Sequence, residues 1–235
     1  TDDDWMMLGH DVIRFGAGIA MSDIGISRSA DDVVLTVNDP LNGATTDQIT
    51  IKNWFLSDGF RIEQLTFADG SQMTWEQIQQ AAQTIHGTEG ADTIYGWPQG
   101  TTVLAYGGDD RVYAQDGDDS IYGGDGNDVV DAGLGNNWID GQSGDDLLKS
   151  TGYSSYWYSN SWYTWQSVAS FSVLHGGDGN DVLLVSALGN NSLSGGAGDD
   201  LLQVLQSSAD VGGDAWTSAY HNSSNGFSGG TGNDV

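Results

Sequence analysis

A chain of 235 residues with 33 acidic and 6 basic side chains carries a net charge of −27. Lacking clustered Lys and Arg, it is excluded from the class of proteins that grip a phosphate backbone. It has no cysteine to form disulfides, and no apolar run approaches the roughly 18 residues of a membrane span. Such a charge repels itself in any compact state unless cations neutralise it. Glycine is plentiful at 35 residues against 2 prolines, which favours a regular glycine-dependent architecture over a disordered linker.

Residues 1–86 read as a small β-rich domain. The opening Thr1-Asp2-Asp3-Asp4 has no signal-peptide character. Alternating apolar positions predict strands near Asp11–Phe15, Asp23–Ser27, Asp32–Val37, Gln48–Phe55 and Phe60–Phe67. Turn signals at Asp39-Pro40, Asn42-Gly43, Asp58-Gly59 and Asp69-Gly70 separate them. Thr74 is a suitable N-cap for a short helix over Trp75–Thr84. Trp54, Phe55, Ile62, Leu65 and Phe67 are candidate core residues.

From Gly87 the chain repeats with a period of nine. Seven units fill 87–149, starting at Gly87, Gly96, Ala105, Ala114, Gly123, Ala132 and Gly141. The eighth position holds Ile94, Val103, Val112, Ile121, Val130, Ile139 and Leu148, apolar in every unit. The clearest copies of the Gly-Gly-x-Gly-x-Asp-x-apolar-x motif are Gly123–Asp131, Gly176–Leu184 and Gly195–Gln203. Each joins a turn rich in oxygen ligands to a three-residue strand, the signature of a calcium-binding parallel β-roll. A longer period is superposed: the block at Gly123 recurs at Gly176 and Gly229. Between copies run segments without the motif, 150–175 and 204–228, and Val185 is a one-residue slip. The chain ends inside a further copy, so it reads as a piece of a longer array.

The expected fold is therefore all-β: a right-handed parallel β-roll (a β-helix or solenoid) over 87–235, with inserts at 150–175 and 204–228, preceded by the β-rich domain of 1–86. Two units make one coil of 18 residues, so alternate turns stack on one edge. That edge collects Asp92, Asp110, Asp128 and Asp146 at the sixth position, while the other carries Thr101, Asp119 and Asn137. If each insert replaces one turn on the poorer edge, Asp181, Asp200 and Asp234 continue the acidic ladder and Asn191 joins the poor side. The alternative is that the inserts break the coil into separate short rolls. Backbone carbonyls and turn residues complete a hard-oxygen cage. The candidate ligands beside the sixth-position aspartates are Gly123, Asp125, Asn127, Gly141, Ser143, Asp145, Gly176, Asp178 and Asn180. Calcium takes 6–8 oxygens at about 2.3–2.6 Å in flexible geometry, whereas magnesium resists such a cage. The unit at Gly96, with Trp97, Pro98 and Thr101, keeps the period but lacks the ligands.

The first insert interleaves Tyr156, Trp157, Tyr158, Trp162, Tyr163 and Trp165 with Ser and Thr. Such mixtures suit contact surfaces, here for glycans, another copy of the chain or a cell surface; the same rings could instead cover the flank of the roll. Catalysis finds little support. His10, His86, His175 and His221 are scattered, and neither a His-Glu-x-x-His nor a Gly-x-Ser-x-Gly motif occurs.

On these repeats the chain resembles the RTX, or haemolysin-type, calcium-binding proteins over about 87–149, 176–203 and 229–235. Residues 11–80 resemble the haemolysin-type calcium-binding-related domain, through Phe15-Gly16-Ala17-Gly18-Ile19, Asn53-Trp54-Phe55, Arg61-Ile62-Glu63-Gln64 and Phe67-Ala68-Asp69-Gly70. The resemblance implies type I secretion from a Gram-negative bacterium and folding outside the cell, where calcium is abundant. The charge agrees: about 20 carboxylates face only Arg111 and Lys149 within 87–235, so the metal-free array should stay disordered. The expectation is a non-catalytic, calcium-dependent repeat module of a large adhesive or filament-forming extracellular protein. The alternative is the secretion and folding module of an RTX toxin or hydrolase.

Overall fold

The computed structural model describes residues 11–38, 46–151, 154–159, 162–167, 171–186, 190–205 and 226–235, with the backbone alone at 46, 154–159, 162–167 and 186. The chain divides into two compact units, 1–84 and 85–235.

In the first unit, β2 (Ile24–Ser29), β3 (Asp32–Asn38) and β4 (Thr46–Ile51) form an antiparallel meander. A second sheet pairs β1 (Val12–Arg14) in parallel with β5 (Gln64–Thr66), and β5 antiparallel with β6 (Gln72–Thr74). Alternation on β3 sends Val33, Leu35 and Val37 inward. They meet Trp54, Leu65, Phe67 and, from helix α1 (Trp75–Gln83), Ile78 and Ala82. The helix starts where Thr74 donates its N–H to Gln77 Oε1 at 2.9 Å, half of a capping box.

Two expected strands are shorter than their apolar pattern. β4 stops at Ile51 because Asn53 turns to φ 60° and donates its N–H to Asp32 Oδ1 at 2.9 Å. This drops Trp54 into the core. Of Phe60–Phe67 only β5 is extended, since Asp58–Phe60 forms a 3-10 turn in which Ser57 accepts the Gly59 N–H. β6 has a single apolar residue, Met73, too little for a periodicity argument to find it.

The second unit is a parallel roll of two sheets. One contains β7 (Thr84–His86), β9 (Thr102–Leu104), β11 (Ser120–Asp125), β13 (Trp138–Ser143), β17 (Val173–Asp178), β19 (Ser192–Ala197) and β21 (Gly226–Thr231). The other contains β8 (Thr93–Tyr95), β10 (Arg111–Tyr113), β12 (Val129–Asp131), β14 (Leu147–Ser150), β18 (Val182–Ser186) and β20 (Leu201–Leu205). Registers such as Val112 opposite Val130 and Ile121 opposite Ile139 realise the 18-residue coil. The core is one file of eighth-position side chains per sheet, and Val103, Val112, Ile121, Ile139 and Leu148 are fully buried. Each such side chain contributes about 1.5–3 kcal/mol. Ala105, Ala114 and Ala132 fill the remaining width.

The roll starts earlier than Gly87. Thr84–His86 already form β7, and Ile85 packs against the roll's core. The helix consequently ends at Gln83. Both inserts are narrower than 150–175 and 204–228, because Val173–His175, Val204 and Gly226–Ser228 belong to roll strands. The coil continues across the first insert: β13 pairs with β17, and β14 with β18. Val185 is more than a slip. It lies fully buried in β18, opposite Ser150 and Val204, and the extra residue is absorbed between it and Asn191. Within the first insert, β15 (Ser154–Ser159) and β16 (Trp162–Ser167) pair antiparallel, with Tyr156 opposite Trp165 and Tyr158 opposite Tyr163. The side chains of Tyr156, Trp157, Tyr158, Trp162, Tyr163 and Trp165, and residues 206–225, lie outside the described part.

Candidate metal-binding edges

Each sixth-position residue bonds to the coil beside it. Asp110 Oδ1 accepts the Asp92 N–H at 2.7 Å, and Asp128 Oδ1 accepts the Asp110 N–H at 2.8 Å. Asp146, Asp181, Asp200 and Asp234 continue the chain of bonds. The expected acidic ladder therefore runs unbroken past the first insert. On the opposite edge the same bonds link Thr101, Asp119, Asn137, Ser172 and Asn191. Ser172 takes the sixth position where the first insert returns to the roll.

The second carboxylate oxygen distinguishes these residues. Oδ2 of Asp110, Asp119, Asp128, Asp146, Asp181 and Asp200 is buried with no hydrogen-bond partner. An ionised buried oxygen in that condition costs several kcal/mol or more unless a cation or proton meets it. Desolvation is the main cause that raises the carboxyls: Asp119 is pushed up to about 8, Asp146 to about 7, and Asp128 and Asp181 to about 6. Asp110 is raised for the same reason. Backbone N–H bonds pull each partly back, while neighbouring carboxylates add to the rise.

The turns hold these oxygens over glycine. A Cβ at residue 123 would strike Asp128 Oδ2 and stand 2.8 Å from the Gly141 carbonyl oxygen. Asp146 Oδ2 and the Gly176 carbonyl converge likewise on residue 141, as do Asp181 Oδ2 and the Gly195 carbonyl on residue 176. Each cradle thus joins a carboxylate and a carbonyl of the next coil over a bare Cα. The fourth-position glycines are needed for a separate reason: Gly144 has φ 132°, and a Cβ there would run into the Gly126 carbonyl.

Not every expected ligand joins these cradles. Asp92 Oδ2 already accepts the N–H and Oγ1 of Thr88, at 2.6 and 2.8 Å. Later second-position residues, such as Tyr106 at φ 76° and Gly124 at φ 115°, are left-handed, and Thr88 is not. Asn127, Asp145 and Asn180 form a separate exposed ladder with Asp109 and Asp199, each side chain accepting the next coil's fifth-position N–H. The strict alternation of Asp and Asn along that row, legible in the sequence, places no two of its carboxylates on adjacent coils. Asp125, Ser143 and Asp178 pair along the first sheet, and their carbonyls accept fourth-position N–H groups.

Among the described residues no cluster of three or more His, Cys, Asp or Glu is arranged to hold a metal. A cation here must therefore draw on mixed carboxylate and carbonyl oxygens. All are hard donors, which fits calcium and argues against zinc or copper. His86 and His175 do not enter the cradles; His86 Nδ1 bonds the Tyr106 hydroxyl, and His175 packs against Trp138.

Stacked nonapeptides with acidic glycine turns define the class: a calcium-binding parallel β-roll. The RTX calcium-binding nonapeptide repeat matches residues 80–98, 104–139, 125–150, 170–187 and 175–203. The haemolysin-type calcium binding protein related domain matches 41–77. The chain therefore carries RTX nonapeptide repeats preceded by that related domain, and its repeats form a calcium-binding module. No curated protein matched the chain. Among the described residues no helix is long and apolar enough to cross a membrane.

Proposed function

We propose that the roll is a calcium-clamped structural module of a secreted, adhesive or filament-forming protein, with no catalytic role of its own. Asp110, Asp128, Asp146, Asp181 and Asp200 each present a buried Oδ2 to a calcium ion, and a turn carbonyl of the neighbouring coil supplies a further oxygen. The observation that carries this reading is the row of partnerless buried carboxylate oxygens, repeated coil after coil. Calcium bound there neutralises buried charge and removes repulsion between coils, so binding free energy becomes folding free energy. Such a chain stays extended during export and sets outside the cell, where calcium is abundant. The aromatic hairpin of the first insert offers a contact surface at the end of that process.

The test is circular dichroism during a calcium titration, with magnesium at equal concentration as control. β signal should rise with calcium and stay flat with magnesium. Equal β signal in chelator and in calcium would refute the proposal.

A further inference from the structure

The two edges of the roll solve the same problem with different atoms. From the second coil of each edge onward, at Asp110 and at Asp119, the first sixth-position side-chain acceptor takes the N–H of the preceding coil. On the acidic edge, from Asp110 to Asp200, the second atom is a buried carboxylate oxygen left without a partner. On the other edge, at Thr101, Asn137 and Ser172, the side chain is instead satisfied or offers a donor. Asn137 Oδ1 accepts the Asp119 N–H, while its Nδ2 donates to Ser150 Oγ at 3.0 Å and to the Gly133 carbonyl at 3.4 Å. Ser150 Oγ bonds Ser172 Oγ at 2.8 Å, and Ser172 Oγ accepts the Asn137 N–H. Asn137, Ser150 and Ser172 are all at most 2 % exposed. One coil earlier, Gln115 Nε2 donates to the Gly96 carbonyl, and two coils earlier Thr101 Oγ1 accepts the Trp97 N–H. Nowhere in this circuit is there a charge. Asp119 interrupts it, 1 % exposed, with Oδ2 partnerless.

We infer that this edge is closed by side-chain N–H and O–H donors in place of metal, around one further calcium site at Asp119. The inference rests on the acidic edge being the calcium edge. The amide of Asn137 supplies the positive end of a dipole where a carboxylate would need a cation, and it does so without desolvating an ion. The arrangement lies where the first insert leaves the roll at Ser150 and returns at Ser172. The root of the long loop is thereby fastened by neutral hydrogen bonds rather than by an exchangeable ion.

Native mass spectrometry of the full chain in calcium, with calcium-dependent dichroism as the folding readout, tests this through two variants. Asn137→Asp should bind one more ion per chain than wild type. It should also need more calcium to fold, because it removes the donor and adds a buried anion. Asp119→Asn should bind one ion fewer and fold at no higher calcium than wild type, the new amide completing the neutral circuit. If Asn137→Asp folds with an unchanged count, or if Asp119→Asn keeps the wild-type count, the inference is overturned. Should Asn137→Asp fail to fold at any calcium concentration, Asp119→Asn decides alone. A wild-type chain that binds no calcium overturns the parent reading instead, and the two failures are thus distinguishable.

Discussion

The two units of the chain bury apolar side chains in different ways. The first gathers Val33, Leu35, Trp54, Leu65 and Ile78 from two sheets and a helix around one centre, each fully buried. Its charges are handled locally: the Arg28 guanidinium lies 3.8 Å over the Phe55 ring, and Arg61 pairs with Asp58 at 2.8 Å. The roll instead has a core one side chain deep per sheet, flanked by buried aspartates. A domain with a three-dimensional core needs only its own side chains. A one-dimensional core leaves two edges per coil to be closed, and in the function proposed above the acidic closure takes an ion from solution.

Chelation should give the largest separation between them. In excess chelator, hydrogen exchange of the intact chain should show the roll's strands from β8 to β20 unprotected, with β2, β3 and α1 still protected. Loss of protection throughout would mean that the first unit has no stability of its own. Retention throughout would deprive the acidic edge of its role.

Truncating one core residue in each unit sharpens the contrast. Trp54→Ala removes a fully buried ring and should cost about 3–5 kcal/mol of the first unit's stability, leaving the roll's calcium midpoint unmoved. Ile139→Ala, also fully buried, should cost about 2–5 kcal/mol and raise the calcium midpoint, because metal binding is coupled to folding there. Unfolding monitored separately by tryptophan fluorescence and by calcium titration distinguishes the two. A raised calcium midpoint in Trp54→Ala would show that the units fold as one.

Acid should act on the roll in opposite directions with and without metal. Asp119, Asp128, Asp146 and Asp181 have folded values raised to between about 6 and about 8, above the ordinary carboxyl value. A group raised by folding stabilises the folded state fully below its unfolded value, and that contribution is lost as pH climbs through the folded one. In chelator, the β signal of the roll should therefore grow as pH falls from about 8 to about 4. In calcium, protons compete for the same oxygens, and the calcium midpoint should rise over the same interval. Dichroism at fixed calcium across that range checks both. A calcium midpoint that ignores pH would place the ions away from these carboxylates.

The nine-residue repeat makes most of the roll legible in the sequence. The unbroken eighth position from Ile94 to Leu148 set the core, and the phase of Asp181 and Asp200 carried the ladder across the first insert. What stayed hidden depends on backbone choices that a nine-residue pattern does not encode. The period places Asp92 with Asp110, yet Thr88 in an ordinary conformation already bonds its Oδ2. The asparagine at 137 reads as a lost ligand, and only its distances to Ser150 and Gly133 reveal a donor. In the first unit the alternation around Trp54 looks like a continuing strand. There the left-handed Asn53 and its bond to Asp32 end β4 instead, a contact between residues too far apart for local pattern to anticipate.

The smallest expected effect lies on the outer face of the second sheet. Lys149 Nζ stands 2.6 Å from Asp131 Oδ2, and each side chain is 36 % exposed. With water reaching both partners, the pair should contribute about 0–1 kcal/mol, screened further by salt. Lys149→Met should therefore lower the calcium-loaded roll's stability by no more than that, with the difference shrinking in high salt. Yet Lys149 is one of only two basic residues after position 86, so its loss also adds to the repulsion that calcium must overcome. That second effect is long-range and appears chiefly at low salt, as a small rise in the calcium midpoint. Thermal melts and calcium titrations at two ionic strengths separate the local pair from the long-range term. A loss of several kcal/mol that persists in high salt would assign the outer face a share of the stability that the buried edges are argued to hold.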